Sequence, residues 1–328
     1  MSAGGGALRV TVTGASGLVG RTLVPALQAR GAEVTVLSRD PDRARSALDP
    51  GAGGAPHVVA WDPMREPAPA EALAGRDSVL HLAGEPVAQR WSAKAKRAIR
   101  DSRVIGTRNL VEGLRRADRL GIDQRPRTLI SSSAIGYYGA HGEEPLDEET
   151  PPGSDFLAQV CVASEQEASL ASEVGMRVVH VRTGVVLDAR GGALGKMLPP
   201  FRLGVGGPVA GGRQYISWIH ADDLVEMMLA AGERESWIGP INATAPEPIT
   251  NRDFTKVLGR VLGRPAFLPV PALALELLYG QMAEIITTGA RVVPAKPLVL
   301  GYEFRHPELE AALRSALARA EAPRGGTA

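Results

Sequence analysis

Along the first 185 positions, short apolar β-branched runs alternate with stretches of helical spacing. Residues 8–13, 33–37, 57–60, 78–82, 127–132 and 177–182 read as strands. Between them, 18–30 carries Leu18, Leu23 and Leu27 at helical intervals and stops at Gly31. Helices are likewise expected over about 92–116 and 154–173. Strands separated by helices, with apolar residues on both faces, predict an α/β fold: a Rossmann-like, doubly wound parallel sheet. Beyond residue 185 the rhythm changes. Gly191-Gly192, Gly204-Val205-Gly206-Gly207-Pro208 and Gly211-Gly212 punctuate long loops. A helix is expected from about Asp222, capped by Asp222 or Asp223, and a strand near 240–242. Thr250 to Asp253 resembles a capping box opening a helix that runs to Gly263, and 271–288 and 307–319 read as two more helices.

These patterns divide the chain into a Rossmann domain over 7–185, to which part of 220–243 returns, and a smaller, mostly helical C-terminal lobe. The lobe takes 186–219 and 244–320 and faces the substrate. The Gly-rich start, 1–6, and the polar end, 321–328, read as flexible tails.

Composition narrows the function classes. The chain has 328 residues, with 37 basic and 36 acidic side chains, so no global field argues for nucleic acid or an anionic surface. No run approaches the ~18 apolar residues of a membrane span. The start lacks the basic and apolar regions of a secretion signal, so a cytoplasmic protein is expected. The single cysteine, Cys161, excludes an internal disulfide and a multi-cysteine metal cage, and no His/Asp/Glu set has convincing metal spacing.

The most specific pattern is the run from Val10 to Gly20, which contains Gly14-Ala-Ser-Gly17-Leu-Val-Gly20. Here a strand runs into a turn and then a helix. Gly14 permits the turn, Gly17 lets backbone approach a diphosphate, and Gly20 lets helix and strand approach closely. The helix start offers free N–H groups and a positive dipole end to phosphate. The second strand ends Ser38-Arg39, where NAD sites usually carry an acid. A hydroxyl and a guanidinium suit a 2′-phosphate, which favours NADP over NAD. Asp40 comes late and is expected to cap the next turn.

This glycine run, with His81-Leu-Ala-Gly84 and Ser131-Ser-Ser-Ala134, resembles the extended short-chain dehydrogenase/reductase superfamily. Gly84-Glu-Pro-Val87, Arg90-Trp91, Gly136-Tyr-Tyr-Gly139, Pro200-Phe-Arg-Leu-Gly204 and the run from Ser217 to Asp222 narrow it. They resemble its atypical "epimerase family", predicted nucleoside-diphosphate-sugar epimerases with an extra C-terminal domain. The resemblance implies NADP contacts from Gly14, Ser16, Gly17, Leu18 and Val19 to the diphosphate. It places Ser38 and Arg39 at the 2′-phosphate and Asp62 at the adenine. Leu82, Ala83, Gly84 and Glu85 would lie under the ribose and diphosphate, Arg103 within reach of them, and Val185 at the nicotinamide.

The sequence departs from the superfamily in its proton-transfer pair. A Tyr-x-x-x-Lys places both side chains on one helix face, where the lysine tunes the tyrosine. The residues four after Tyr137, Tyr138, Tyr215, Tyr279 and Tyr302 are His141, Gly142, Ile219, Ala283 and His306. Anchored on Glu165, the pair falls at Leu157 and Cys161. Catalytic candidates are therefore Ser133, as donor to a substrate carbonyl, and Tyr137, with Tyr138 beside it. Lys196 is in the Gly-rich region, and Gln214 to Trp218 is a candidate substrate segment. The expected partners are a small hydroxyl or carbonyl compound, with a sugar-nucleotide as the leading class, and a second copy of the chain; neither nucleic acid nor membrane is expected. Two functions fit: an NADP-dependent epimerase or oxidoreductase with a non-standard site, or a catalytically silent NADP-binding sensor.

Overall fold

The computed structural model describes residues 7–48, 54–121 and 126–321. Seven strands form one parallel sheet: β1 (Arg9–Thr13), β2 (Glu33–Ser38), β3 (His57–Ala60), β4 (Ser78–His81), β5 (Thr128–Ala134), β6 (Arg177–Thr183) and β7 (Gly239–Ala243). Their order is β7-β6-β5-β4-β1-β2-β3, so the chain reverses direction across the sheet on either side of β1. A crevice opens at such a reversal, outside the carboxyl ends of the strands. Register is consistent with that placement: Thr13, the last residue of β1, lies beside both Leu37 and His81.

The main helices are α1 (Gly20–Ala29), α2 (Pro41–Ala47), α3 (Ala93–Asp118), α4 (Phe156–Ser169), α5 (Gly192–Arg202), α6 (Ala221–Glu233), α7 (Asn251–Leu262), α8 (Ala272–Tyr279) and α9 (Leu309–Glu321). Both sheet faces are covered, which explains the continuous apolar runs of the strands. On β5, Leu129 joins the layer with Leu110 and Leu114 of α3, while Ile130 joins the layer with Leu23 and Leu27 of α1 and Met228 of α6. A separate core of Leu194, Leu198, Phe201, Trp218, Phe254, Leu258 and Leu313 holds the C-terminal lobe together.

Several expectations need correction. The helix expected over 271–288 is two: α8 ends at Gly280 (φ +60°), and a short helix resumes at Ala283–Thr287. A residue at positive φ cannot continue an α-helix, and here it sets Gly280 beside Trp91. The stretch expected to be loop carries α5, despite Pro199 and Pro200 inside it, because Leu194, Leu198 and Phe201 share one buried face. Glu321, assigned to the tail, ends α9. The expected tails 1–6 and 322–328 lie outside the described residues. The Thr250 cap has the anticipated form: its hydroxyl accepts from the Asp253 N–H (3.2 Å) and donates to the Asp253 carboxylate (2.8 Å), and α7 stops at Gly263 (φ +61°).

Candidate active site

The glycine turn lies at the carboxyl end of β1. Gly14 has φ +69°, and a Cβ there would sit 2.7 Å from the backbone of Leu82 and Ala83. A Cβ on Gly20 would sit 2.5 Å from the Ala15 Cα. Both positions therefore require glycine on packing grounds. The Gly17 N–H donates to the Gly14 carbonyl (3.0 Å), closing the turn. Ser16, Leu18 and Val19 are half-buried along it. Val19 precedes α1 without a side-chain cap, and the first turn of α1 holds no acidic residue. The N–H groups of Arg21 and Thr22 are taken by the carbonyls of Gly17 and Val19 (both 3.0 Å), so the turn before the helix, at the helix's positive end, is what an anion would meet.

At the end of β2, the Ser38 hydroxyl donates to the Asp40 carbonyl (3.0 Å) and accepts from its N–H (3.2 Å). The Asp40 carboxylate caps α2 through the Arg43 N–H (3.0 Å). Arg39 is exposed and has no ion pair among the described residues. Asp62, after β3, accepts from the Met64 N–H (3.0 Å) and pairs with Arg65 (3.3 Å).

A buried relay supports the loop after β4. The Thr13 Oγ1 accepts from the N–H groups of Leu82 and Ala83, both at 3.2 Å. Its own hydrogen is then directed to His81 Nδ1 (2.7 Å), and His81 Nε2 donates to Thr107 Oγ1 (3.1 Å). Burial pushes the His81 imidazole down to about 4. The Arg103 guanidinium fills the space over Gly84, where a Cβ would lie 3.1 Å from its Cζ, and donates to the Glu85 carbonyl (2.9 Å). Burial lowers its pKa. The Glu85 N–H donates to Ser102 Oγ (2.9 Å). Val185, the last of the expected cofactor contacts, is half-buried and donates its N–H to the Ser217 carbonyl (2.8 Å).

The end of β5 differs most from expectation. The Ser133 hydroxyl donates to Glu165 Oε1 at 2.6 Å. That bond occupies the Ser133 hydrogen. Glu165 in turn receives two bonds from Arg182, Nε to Oε1 (3.0 Å) and Nη2 to Oε2 (2.9 Å). The Arg182 Nη1 donates to the Tyr138 hydroxyl (3.1 Å), which donates to Asn242 Oδ1 (2.7 Å). Tyr138 is fully buried, and burial pushes its phenol up to about 12, which makes it a weaker acid than an ordinary tyrosine. Tyr137 is half-buried, and its ring lies 3.4 Å from the Arg182 Cζ. Leu157 and Cys161 are buried on α4, and burial raises the thiol to about 11. Neither can exchange a proton with a ligand. The sequence offers Glu165 only as an anchor and gives Arg182 no role. Their pairing joins positions on a helix and a strand that no short-range spacing reveals.

The remaining candidates separate. Lys196 sits on α5, not in a loop; its ammonium donates to the Ala88 carbonyl and lies 5.8 Å from the Tyr279 ring. The Gln214 amide donates to the carbonyls of Val209 (3.2 Å) and Ile286 (3.1 Å), and Trp218 is core. That leaves Tyr215 as the half-buried aromatic of the segment. The cap of α6 is His220 itself, whose Nδ1 accepts from the Asp222 N–H (3.1 Å). The tertiary structure brings His220, Asp222 and His306 within 4.8 Å of one another. Arg319 holds one Asp222 oxygen, and the buried Asp223 accepts from the N–H groups of Arg305 (2.7 Å) and His306 (3.0 Å). The cluster fastens α9 and the segment before it to the start of α6.

A family model for the NAD dependent epimerase/dehydratase family matches residues 10–241, and a domain of unknown function, DUF1731, matches 270–316. The chain belongs to the NAD dependent epimerase/dehydratase family. It is 38% identical over 308 residues to the chloroplastic epimerase family protein SDR39U1 homolog of Arabidopsis thaliana, covering 94% of this chain and 86% of that protein. It is 35% identical over 316 residues to the Homo sapiens epimerase family protein SDR39U1, covering 95% and 100%. The crystal structure of human SDR39U1 (isoform2) with NADPH superposes with a TM-score of 0.82 at 33% identity, over 95% of this chain and 99% of that one. The nucleoside-diphosphate sugar epimerase of Corynebacterium glutamicum superposes with a TM-score of 0.74 at 36% identity, over 96% of this chain and 59% of that one. The match of the whole chain, including the C-terminal lobe, agrees with the resemblance drawn from its motifs.

Proposed function

We propose that this protein binds NADP(H) across the carboxyl ends of β1, β2 and β4 and acts on a small hydroxyl or carbonyl compound, with a sugar-nucleotide as the leading class. The single observation that carries the reading is the uncapped start of α1 behind a turn closed against Leu82 and Ala83. A diphosphate fits that donor set. Gly14, Ser16, Gly17, Leu18 and Val19 would hold it; Leu82, Ala83, Gly84, Glu85 and Arg103 would form the floor; Val185 would meet the nicotinamide. The exposed Arg39 beside Ser38, with Asp40 turned into a helix cap, supports a 2′-phosphate and hence NADP over NAD. Asp62 would border the adenine. The NADPH of the human relative supports the same choice. A domain boundary near 185, with part of 220–243 returning to the Rossmann domain, would set this cleft between the two lobes.

The cofactor supplies a hydride donor or acceptor when bound. The chain's own contribution is proton handling and orientation. Ser133, its hydrogen held by Glu165, accepts from a substrate hydroxyl. Tyr137, beside the buried Tyr138, makes no protein hydrogen bond through its hydroxyl among the described residues, and it is the proton carrier of this reading. A second reading, a silent NADP(H)-holding sensor, is favoured by Leu157 and Cys161 at the positions of the usual pair.

Calorimetry with NADPH and NADH tests the cofactor assignment. NADPH should bind more tightly, and Arg39→Ala should cost roughly tenfold to a hundredfold in NADPH affinity while leaving NADH nearly unchanged. No binding of either nucleotide would sink the reading. A panel of sugar-nucleotides and small carbonyl compounds with NADPH then separates the two functions. Turnover lost in Tyr137→Phe supports the enzyme, and silence with tight binding supports the sensor.

A further inference from the structure

Helices α3 and α4 lie side by side and parallel, and four pairs fix their register. The hydroxyls of Thr107 and Ser164 meet at 3.4 Å, Arg108 pairs with Glu167, and Arg115 pairs with Glu173 just past α4 (2.6 Å). Ile99 shares one buried cluster with Leu157. The first three pairs join residues 57, 59 and 58 positions apart. The same offset sets Arg103 opposite Cys161, and the Arg103 charge acts on that thiol. Cys161 touches the end of β5, where its thiol donates to the Ala134 carbonyl (3.8 Å). It is also the position at which the superfamily's usual pair would carry its lysine. The side chain that the register brings to this place from α3 is a cation.

The half-buried Arg103 guanidinium covers Gly84, where a Cβ would lie 3.1 Å from Cζ and 3.3 Å from both Nη atoms. Nη1 donates to the carbonyls of Glu85 (2.9 Å) and Ile99 (3.3 Å). Nε and Nη2 make no hydrogen bond among the described residues, and neither is sealed from solvent. The half-buried Glu85 engages its N–H with Ser102 and its carbonyl with Arg103. Its carboxylate lies within electrostatic reach of Arg103, yet it makes no ion pair or hydrogen bond among the described residues. A donor fork and an acceptor therefore stand together without protein partners. Arg182, by contrast, is paired with Glu165.

We propose that Arg103 and Glu85 hold the ribose that carries the nicotinamide, Arg103 donating to its hydroxyls and Glu85 accepting from them. This rests on the NADP(H) reading of the cleft and adds which part of the cofactor the two side chains hold. Strand β4 lies between β1 and β5, and Leu82 and Ala83 meet Gly14 on one side while Arg103 covers Gly84 from α3. A dinucleotide whose diphosphate rests on the Gly14 turn continues across β4 toward β5 with its second ribose. The chemistry of the two side chains selects that ribose over the diphosphate. A diphosphate only accepts hydrogen bonds and repels a carboxylate, whereas a vicinal diol both donates and accepts. At Leu157 and Cys161, α4 brings no charged group to this place, and the fork from α3 takes over the holding.

Calorimetry of the full chain with 2′-phospho-ADP-ribose and with the β-methyl ester of 2′-phospho-ADP tests it. The two ligands share the 2′-phosphate and the diphosphate diester and differ by the second ribose. The wild type should bind the ribose-bearing ligand roughly tenfold more tightly. Arg103→Met should erase that difference and Glu85→Ala should reduce it. Both variants should bind the methyl ester within about twofold of wild type, which also reports that they are folded. Equal wild-type affinity for the two ligands overturns the proposal without any variant. So does a difference that survives in full in either variant. Loss of methyl-ester affinity in Arg103→Met at an unchanged melting temperature would put the guanidinium on the diphosphate and overturn it as well. A wild type that binds neither ligand overturns the NADP(H) reading, and this proposal with it.

Discussion

The Cζ of Arg182 lies 3.4 Å from the centroid of the Tyr137 ring, while the same guanidinium holds both carboxylate oxygens of Glu165. One buried cation therefore orders the two side chains that flank the end of β5. Ser133 is fixed through Glu165, and Tyr137 is fixed by its ring face. The superfamily's usual arrangement would place a lysine on the helix for this purpose. The positive charge at this end of the sheet comes from Arg182 on β6, and Leu157 and Cys161 of α4 are buried.

Breaking this pair should be costly. The side chains of Arg182 and Glu165 are only 4% and 11% exposed. Removing one partner leaves a buried charge uncompensated, so Glu165→Ala should lose about 3–5 kcal/mol of stability in urea denaturation. A loss below about 1 kcal/mol would mean that water reaches Arg182 in solution.

The two adjacent tyrosines should respond differently. Tyr138→Phe leaves Asn242 Oδ1 and an Arg182 N–H without a partner in the core, so its melting should fall by the equivalent of about 1–3 kcal/mol. Tyr137→Phe removes a hydroxyl that bonds no protein group, and its stability should stay within about 0.5 kcal/mol of wild type. Thermal melts of both variants check the contrast.

Gly14→Ala puts a side chain at φ +69° and within 2.7 Å of the Leu82–Ala83 backbone. The strain should destabilise the fold by about 1–3 kcal/mol and distort the turn. NADPH affinity should fall with it, read by fluorescence titration at a temperature where the variant is still folded.

Acid should weaken the fold through His81. Its folded pKa is about 4, below the ordinary value of 6.5, because the ring is buried. Between those values the unfolded chain takes up a proton that the folded chain refuses, so stability falls as pH drops through this window. The effect approaches roughly 3 kcal/mol at the acid end. His220, also pushed to about 4 by burial and then by His306, adds a fall of the same sign. Urea midpoints from pH 7.5 down to 4.5 should show the slope, and His81→Gln should flatten part of it.

What the sequence determined by itself is the part written in local pattern. The alternation of β-branched runs and helical spacing specified a parallel sheet covered on both faces. The spacing of Gly14, Gly17 and Gly20 marked the turn into α1, because each glycine answers to a neighbour only a few residues away or to the adjoining strand. The ends of β2 and β4 followed from the same rule. Only the tertiary structure decided what surrounds the end of β5. Glu165 commits the hydrogen of Ser133 from 32 positions away. Arg182 reaches Tyr137 from a different strand, and His306 meets His220 through a chain reversal. The break in the helix at Gly280 and the helix formed around Pro199 and Pro200 were likewise settled by what each segment packs against. Burial and charge pairing at these positions depend on residues far apart in the chain, and no period or motif encodes them.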